Sequence, residues 1–258
     1  ICVKIKDKIA QIMPHGGLQI IRDFSELFKK LNIQQIDEPI FPEAKTKLQS
    51  KMLHALSKTQ SPIACELLLK QQITHNDLMP TPEDLERSLI LDQLIYPPAV
   101  VILGDANTGK STLMNAMTAQ ETSIVFDQPG VTRDAVGARV ICDGLAINLY
   151  DLPGIRKTTD AIERNAIKAA KSMMEQAVLV VQVRDAEHEW ISSNCQKKIK
   201  IGTKLDLHEI SDADLCVSAI TGQHITKLAQ KIREALIPDN LLNSGLPWFF
   251  DGYRPTEE

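Results

Sequence analysis

Residues Gly104-Asp-Ala-Asn-Thr-Gly-Lys-Ser-Thr112, reading GDANTGKST, follow the apolar run AVVIL (Ala99 to Leu103) and precede LMNAM. The segment satisfies GxxxxGK[ST] at each fixed position, with a strand-like run before it and a helical pattern after it. Glycine lets the backbone curl so that successive N–H groups converge on phosphate oxygens, and the helix that follows adds its N-terminal dipole. Asn107, Thr108, Gly109, Lys110, Ser111 and Thr112 are therefore expected around the phosphates of a nucleotide. Lys110 is expected to reach the β- and γ-phosphates, and Ser111 to ligate Mg²⁺.

Working outward, strands are predicted near 99–103, 136–142, 145–150, 177–183, 198–202 and 214–217, and helices near 110–119, 161–176 and 224–236. This alternation predicts an α/β fold, a P-loop domain with a mostly parallel sheet covered on both faces. An N-terminal, mainly helical appendage precedes it. There, 47–58 places Leu48, Met52, Leu53 and Leu56 on one face, and 62–69 starts at Pro62 with Ser61 as its cap. Thr81-Pro-Glu-Asp84 opens a third helix, and Tyr96-Pro-Pro98 closes it. Residues 1 to about 38 read as a strand, a break at Pro14-His-Gly-Gly17 and a helix. At the other end, Trp248-Phe249-Phe250 predicts a tail docked by its aromatics. The expected divisions are 1–41, 42–96, 97–238 and 239–258.

The base is indicated by Thr203-Lys-Leu-Asp206, placed at the end of a predicted strand and matching [NT]KxD. A carboxylate at Asp206 can accept from guanine N1–H and its exocyclic amino group, whereas adenine would leave that carboxylate unpaired. The stem of Lys204 can pack along the base, and Ser218-Ala219 follows the next strand where a last guanine loop belongs. Two candidate switches lie between. Thr132, in Gly130-Val-Thr-Arg-Asp134, could meet Mg²⁺ and the γ-phosphate; Asp151-Leu-Pro-Gly154 matches DxxG. In it Asp151 would hold Mg²⁺ through water and the N–H of Gly154 would sense the γ-phosphate. GTP or GDP with Mg²⁺ is the expected ligand.

Composition narrows the rest. A formal net charge of −4 supplies no global basic field for nucleic acid, although Lys197, Lys198 and Lys200 form one local candidate cluster. The five cysteines are scattered without metal-binding spacing, which points to free thiols. The longest apolar runs are too short to cross a bilayer, so no membrane partner and a cytoplasmic site are expected.

GDANTGKSTLMNAM, GVTRD and DLPGIRKTTDAIERNAIKAA resemble the MnmE (TrmE) family of tRNA-modification GTPases, whose second switch commonly reads DTAGIRxTxDxVExxGIExA. Upstream, HGGLQIIRDFSELFKKLNIQQIDEPIFPEA resembles the stretch joining that family's folate-binding and helical domains. The resemblance is strong over 99–237 and looser over 10–96. It implies GTP hydrolysis stimulated by potassium, with Asn107 at the position of the potassium-binding Asn and Glu163 at that of the residue orienting the attacking water. Lys110, Thr132 and Glu163 would then be the catalytic set. It also implies a G-domain homodimer, a tRNA or ribosome partner, a flavoprotein partner and a link to wobble-uridine modification. Only a last strand, turn and helix of the folate domain is matched, and the family's CxGK motif has no counterpart, so folate contact at His15 is not expected. Two functions fit these residues: an MnmE-type GTPase, or a diverged module that senses GTP and engages RNA, ribosome or protein with little hydrolysis.

Overall fold

The computed structural model describes residues 2–6, 9–12, 18–34, 41–71, 79–120, 124–125, 136–152 and 173–250. They fall into two compact units, residues 1–57 and residues 58–257.

In the first unit, β1 (Cys2–Lys6) and β2 (Ile9–Ile12) pair antiparallel, followed by α1 (Leu18–Lys30) and α2 (Lys47–Lys58). The alternating run expected to form one strand is thus two. Each short strand supplies the backbone partners that the other lacks. The Pro14-His-Gly-Gly17 break lies outside the described residues.

The second unit is built on a seven-stranded sheet. Its strands are β3 (Ala99–Leu103), β4 (Ile124–Val125), β5 (Val136–Cys142), β6 (Leu145–Asp151), β7 (Leu179–Arg184), β8 (Lys198–Gly202) and β9 (Leu215–Cys216). The order is β4-β5-β6-β3-β7-β8-β9. From β6 to β9 every pairing is parallel, while β5 runs antiparallel to β6 and β4 antiparallel to β5. β3 sits at the centre, with Val100 to Leu103 all buried, which is why its sequence is an unbroken apolar run and not an alternating one. Its neighbours β6 and β7 are both non-consecutive in the chain, so the strand order switches direction around it. At such a point the crevice beyond the carboxyl ends of the strands is where ligands bind in open α/β sheets.

The sheet carries α5 (Lys110–Gln120) and α6 (Ile225–Leu236), with α6 presenting Ile225, Leu228, Ile232 and Leu236 as a buried stripe. Of the predicted helix at 161–176, only 173–176 fall within the described residues, and these are helical. The two-residue β4 was not anticipated; it is held through Ile124 and Val125 opposite Arg139 and Ala138 of β5.

Between β7 and β8 the chain crosses over through residues 185–197 without a helix. Side chains hold that strap instead. Gln182 Nε2 donates to Ile191 O at 2.6 Å, Arg184 Nη1 to His188 O at 3.1 Å, and Trp190 Nε1 to Asp212 Oδ2 at 2.7 Å.

Two further helices, α3 (Pro62–Gln71) and α4 (Pro82–Leu91), belong to the same unit as the sheet. For α4 the expected start is present as a capping box: Thr81 Oγ1 accepts from Asp84 N, and the Asp84 carboxylate accepts from Thr81 N at 3.0 Å. For α3 the expectation needs correcting. The hydroxyl of Ser61 does not serve its own helix but accepts from Ala146 N at 3.0 Å, and Ser61 is fully buried. A tertiary donor at the start of β6 outcompetes the local one, and the bond pins the head of α3 to the sheet. The tail docks as its composition suggests. Trp248, Phe249 and Phe250 are buried; Trp248 Nε1 donates to Asp92 Oδ1 at 2.9 Å and Phe249 N to Ser88 Oγ at 2.9 Å. Arg87 also bonds Pro247 O.

Candidate functional site

The candidate site lies along the carboxyl edge of β3, β6, β7, β8 and β9, where five chain segments leave the sheet. From β3 the chain enters Gly104, and no larger residue fits there. A Cβ would lie 2.4 Å from Val183 O and 2.9 Å from Thr108 Oγ1. Asn107 (φ 67°) and Gly109 (φ 90°) are left-handed, and such left-handed residues turn consecutive N–H groups toward one concavity, an anion nest. Asparagine is among the residues that tolerate this backbone, so its conformation gives Asn107 a reason to be there that is independent of any ion.

The loop is braced from within. Thr108, fully buried, donates through Oγ1 to Asp105 O at 2.8 Å, and Lys110 Nζ donates to the same carbonyl at 2.7 Å. Burial pushes the Lys110 ammonium below its ordinary range, against the opposing pull of the Asp151 and Asp105 charges. A partly desolvated cation at the mouth of a nest of N–H donors is suited to a phosphate, which would restore both charge and hydrogen bonds.

At the end of β6, Asp151 Oδ2 accepts from Ser111 Oγ at 2.5 Å. Asp151 Oδ1 is buried with no hydrogen-bond partner among the described residues. An ionised oxygen in that state is costly unless something cationic or protic arrives. A hydroxyl and a carboxylate are hard oxygen donors of the kind Mg²⁺ takes, and one carboxylate suffices because Mg²⁺ keeps waters and substrate phosphate oxygens in its octahedron. Among the described residues no cluster of three or more acidic, His or Cys side chains offers an all-protein metal cage. Ser111 and Asp151 therefore fit Mg²⁺ shared with a phosphate.

The base side is assembled from the ends of β8 and β9. Thr203 Oγ1 lies 2.6 Å from Thr108 O, to which it donates, tying the [NT]KxD loop to the phosphate loop. Thr203 is buried, so this bond is shielded from water. Asp206 is exposed and its Oδ1 accepts from Ser218 Oγ at 2.5 Å; Ser218 itself is fully buried. The Ser218-Ala219 loop thus aims the carboxylate that would read guanine. Lys204 (φ 57°) is left-handed as well, and its Nζ is 2.5 Å from Asp185 Oδ2.

Asn107 to Thr112, Asp151, Thr203, Lys204, Asp206, Ser218 and Ala219 all lie on this edge. Thr132, Gly154 and Glu163 lie outside the described residues. The lysine cluster has other employment: Lys197 Nζ donates to Ala235 O at the end of α6, and Lys200 stands over the Trp190 ring. Asp185 and His188 carry no motif and were not anticipated; the local signal was a carboxylate directly after the strand β7. Among the described residues no helix is long and apolar enough to cross a membrane. Among the described residues Cys65, Cys142, Cys195 and Cys216 form no disulfide.

Comparison with known proteins agrees with this geometry. Residues 99–204 match the family described as 50S ribosome-binding GTPase. The tRNA modification GTPase MnmE of Prochlorococcus marinus (strain MIT 9303) is 30% identical over 209 residues, 69% of this chain and 44% of that protein. MnmE of Acidiphilium cryptum is 37% identical over 145 residues, 54% of this chain and 33% of that protein. The chain thus spans less than half the length of these relatives. Among solved structures, Aquifex aeolicus Era bound to GDP and AlF4⁻ covers 53% of this chain and 56% of its own, at 23% identity and a TM-score of 0.42. The strand order, the nest-forming loop after β3, the family match and the two MnmE relatives lead to one conclusion: the chain carries a P-loop GTPase domain of the MnmE type.

Proposed function

We propose that this chain hydrolyses GTP to GDP and phosphate with Mg²⁺ and a stimulating potassium ion, and that the resulting switch serves tRNA wobble-uridine modification or a related RNA process. One observation supports it above the others. The Ser111–Asp151 pair leaves Asp151 Oδ1 buried and unpartnered beside the desolvated Lys110, a charge arrangement completed by Mg²⁺ and a triphosphate.

In this reading the N–H groups of Asn107 to Thr112 and the ammonium of Lys110 hold the β- and γ-phosphates. Asp206, aimed by Ser218, accepts from guanine, while Lys204 and Ala219 border the base and Thr203 fixes its loop to Thr108. Ser111 and Thr132 would ligate Mg²⁺ directly and Asp151 through water; Asn107 offers an amide oxygen to K⁺. When bound, the cations neutralise charge around the β–γ bridge. Glu163 orients the water that attacks the γ-phosphorus, the bond to the bridging oxygen breaks, and GDP leaves; Gly154 registers loss of the γ-phosphate. Two copies meet through their G domains across the nucleotide, and tRNA and a flavoprotein are the partners expected by analogy with the MnmE relatives.

The test is phosphate release from GTP in KCl against NaCl, with Mg²⁺ constant. Faster turnover in KCl, and its loss in Glu163→Ala with GDP affinity kept, is the expected result. Equal low rates in both salts would remove the potassium mechanism, and loss of GDP binding in Glu163→Ala would reassign that residue. Comparing the modified nucleosides of tRNA with and without the protein tests the link to RNA.

A further inference from the structure

Asp185 stands where β7 ends, next to the end of β8 that carries Thr203 and Lys204. The residue is 2% exposed, yet it belongs to no phosphate or base motif. Its partners are Lys204 Nζ at 2.5 Å, His188 Nδ1 at 2.6 Å and Glu187 N at 3.1 Å. An ionised carboxylate only accepts, so His188 Nδ1 carries the proton in this pair. His188 is in turn held by its own backbone, since its carbonyl accepts from Arg184 Nη1.

The arrangement fixes both ends of one side chain. The backbone of Lys204 is left-handed, and Thr203 beside it donates through Oγ1 to Thr108 O and through its N–H to Arg184 O. At the far end, the ammonium is anchored on Asp185. A lysine free in solution loses substantial rotamer freedom when a ligand immobilises it. One already tethered at Nζ has met that cost before the ligand arrives.

We propose that Asp185, oriented by His188, is a positioning residue for purine binding: it tethers the Lys204 ammonium so that the aliphatic stem forms a preset wall for the base. The inference rests on the guanine-nucleotide reading of the site. It assigns the helix-free strap after β7 a task, because both Asp185 and His188 lie on it. Burial alone would push the Asp185 carboxyl up, but the hydrogen bonds from Lys204, His188 and Glu187 N and the Lys204 charge outweigh it and hold the group down to about 2. The tether is therefore intact throughout the neutral range.

The experiment is a double-mutant cycle on a fluorescent N-methylanthraniloyl-GDP, measuring equilibrium affinity and dissociation rate for the full chain. The variants are Asp185→Asn, Lys204→Met and both together. Each single change is expected to weaken binding about tenfold, chiefly through faster dissociation, the size of one immobilised long side chain. The double variant is expected to be no weaker than Lys204→Met alone. Inorganic triphosphate, displacing the probe through the phosphate loop only, should show the same dissociation constant for wild type and Asp185→Asn once the weaker probe affinity is allowed for. His188→Ala gives a milder second variant, expected to weaken GDP about threefold and to lose that effect in the Lys204→Met background.

Additive losses, or a parallel loss of triphosphate binding, would overturn the positioning role while leaving the nucleotide site standing. Failure of the wild-type chain to bind the probe would overturn the guanine-nucleotide reading, and this inference with it.

Discussion

Replacing Thr203 with Val tests whether the base loop and the phosphate loop form one rigid unit. The hydroxyl of Thr203 carries a single proton, and the shorter of its two contacts, 2.6 Å to Thr108 O against 3.1 Å to Arg184 O, takes it. Arg184 O keeps the Thr203 N–H at 2.8 Å whatever the side chain, so Thr108 O is the group that suffers. Valine has the same shape, no donor, and a methyl pressed against a carbonyl at a residue only 5% exposed. Leaving a buried acceptor without its donor costs about 1–3 kcal/mol. For a unit of this size that corresponds to a fall of very roughly 2–4 °C in Tm per kcal/mol. The same distortion reaches the nucleotide, because Thr108 is part of the nest; each ~1.4 kcal/mol felt there weakens GDP tenfold. The assay is thermal unfolding with and without GDP, for Thr203→Val and for Thr203→Ser, which keeps the hydroxyl. Thr203→Ser should track wild type, and Thr203→Val should lose both stability and GDP affinity. If Thr203→Val matches wild type on both readouts, the two loops are not coupled by this bond and the reasoning fails.

Gly104→Ala would place a Cβ 2.4 Å from the backbone oxygen of Val183, which belongs to β7 and cannot swing aside. We expect destabilisation of about 1–3 kcal/mol in thermal unfolding and loss of GDP binding, and a folded, GDP-competent variant would contradict the packing described. Asp185→Asn removes a carboxyl held at about 2 against an ordinary 3.8. A depressed pKa stabilises the folded state above the unfolded value and ceases to as pH falls toward 2, so wild type should lose about 2 kcal/mol from this group between about pH 5 and pH 2. The variant should be less stable at pH 7 by a similar amount and have a flatter acid limb; superimposable acid limbs would show that the pair does not contribute. Asn107→Gly keeps access to the left-handed backbone while deleting the amide, and should bind GDP normally but show the same hydrolysis rate in KCl and NaCl. Retained potassium stimulation in that variant would leave Asn107 with a conformational role alone.

What could be read from the chain was whatever local chemistry decides. The AVVIL run announces a strand buried on both faces, and Gly104 to Thr112 close on themselves through contacts at most five residues apart, such as Lys110 to Asp105. The Thr81–Asp84 capping box is equally local, and the helix start it marks was read from the same four residues. Ser61 shows the opposite case. Its sequence neighbourhood is that of a cap, but its hydroxyl is taken by Ala146 N, 85 residues away, and no pattern in the chain reports that competition. Asp185 follows the same logic at the site itself. Alone it is a carboxylate after a strand; only the parallel pairing of β7 with β8, Arg184 opposite Gly202, brings it within reach of Lys204. Motifs mark the groups that touch a ligand because ligand chemistry restricts their identity and spacing. The groups that hold those residues in place are chosen by the sheet register, which the one-dimensional pattern does not carry. The edge of this sheet contains both kinds: the turn from Gly104 to Thr112 follows from its local sequence, whereas the tie of Thr203 to Thr108 and that of Asp185 to Lys204 became visible only when five strand ends were set side by side.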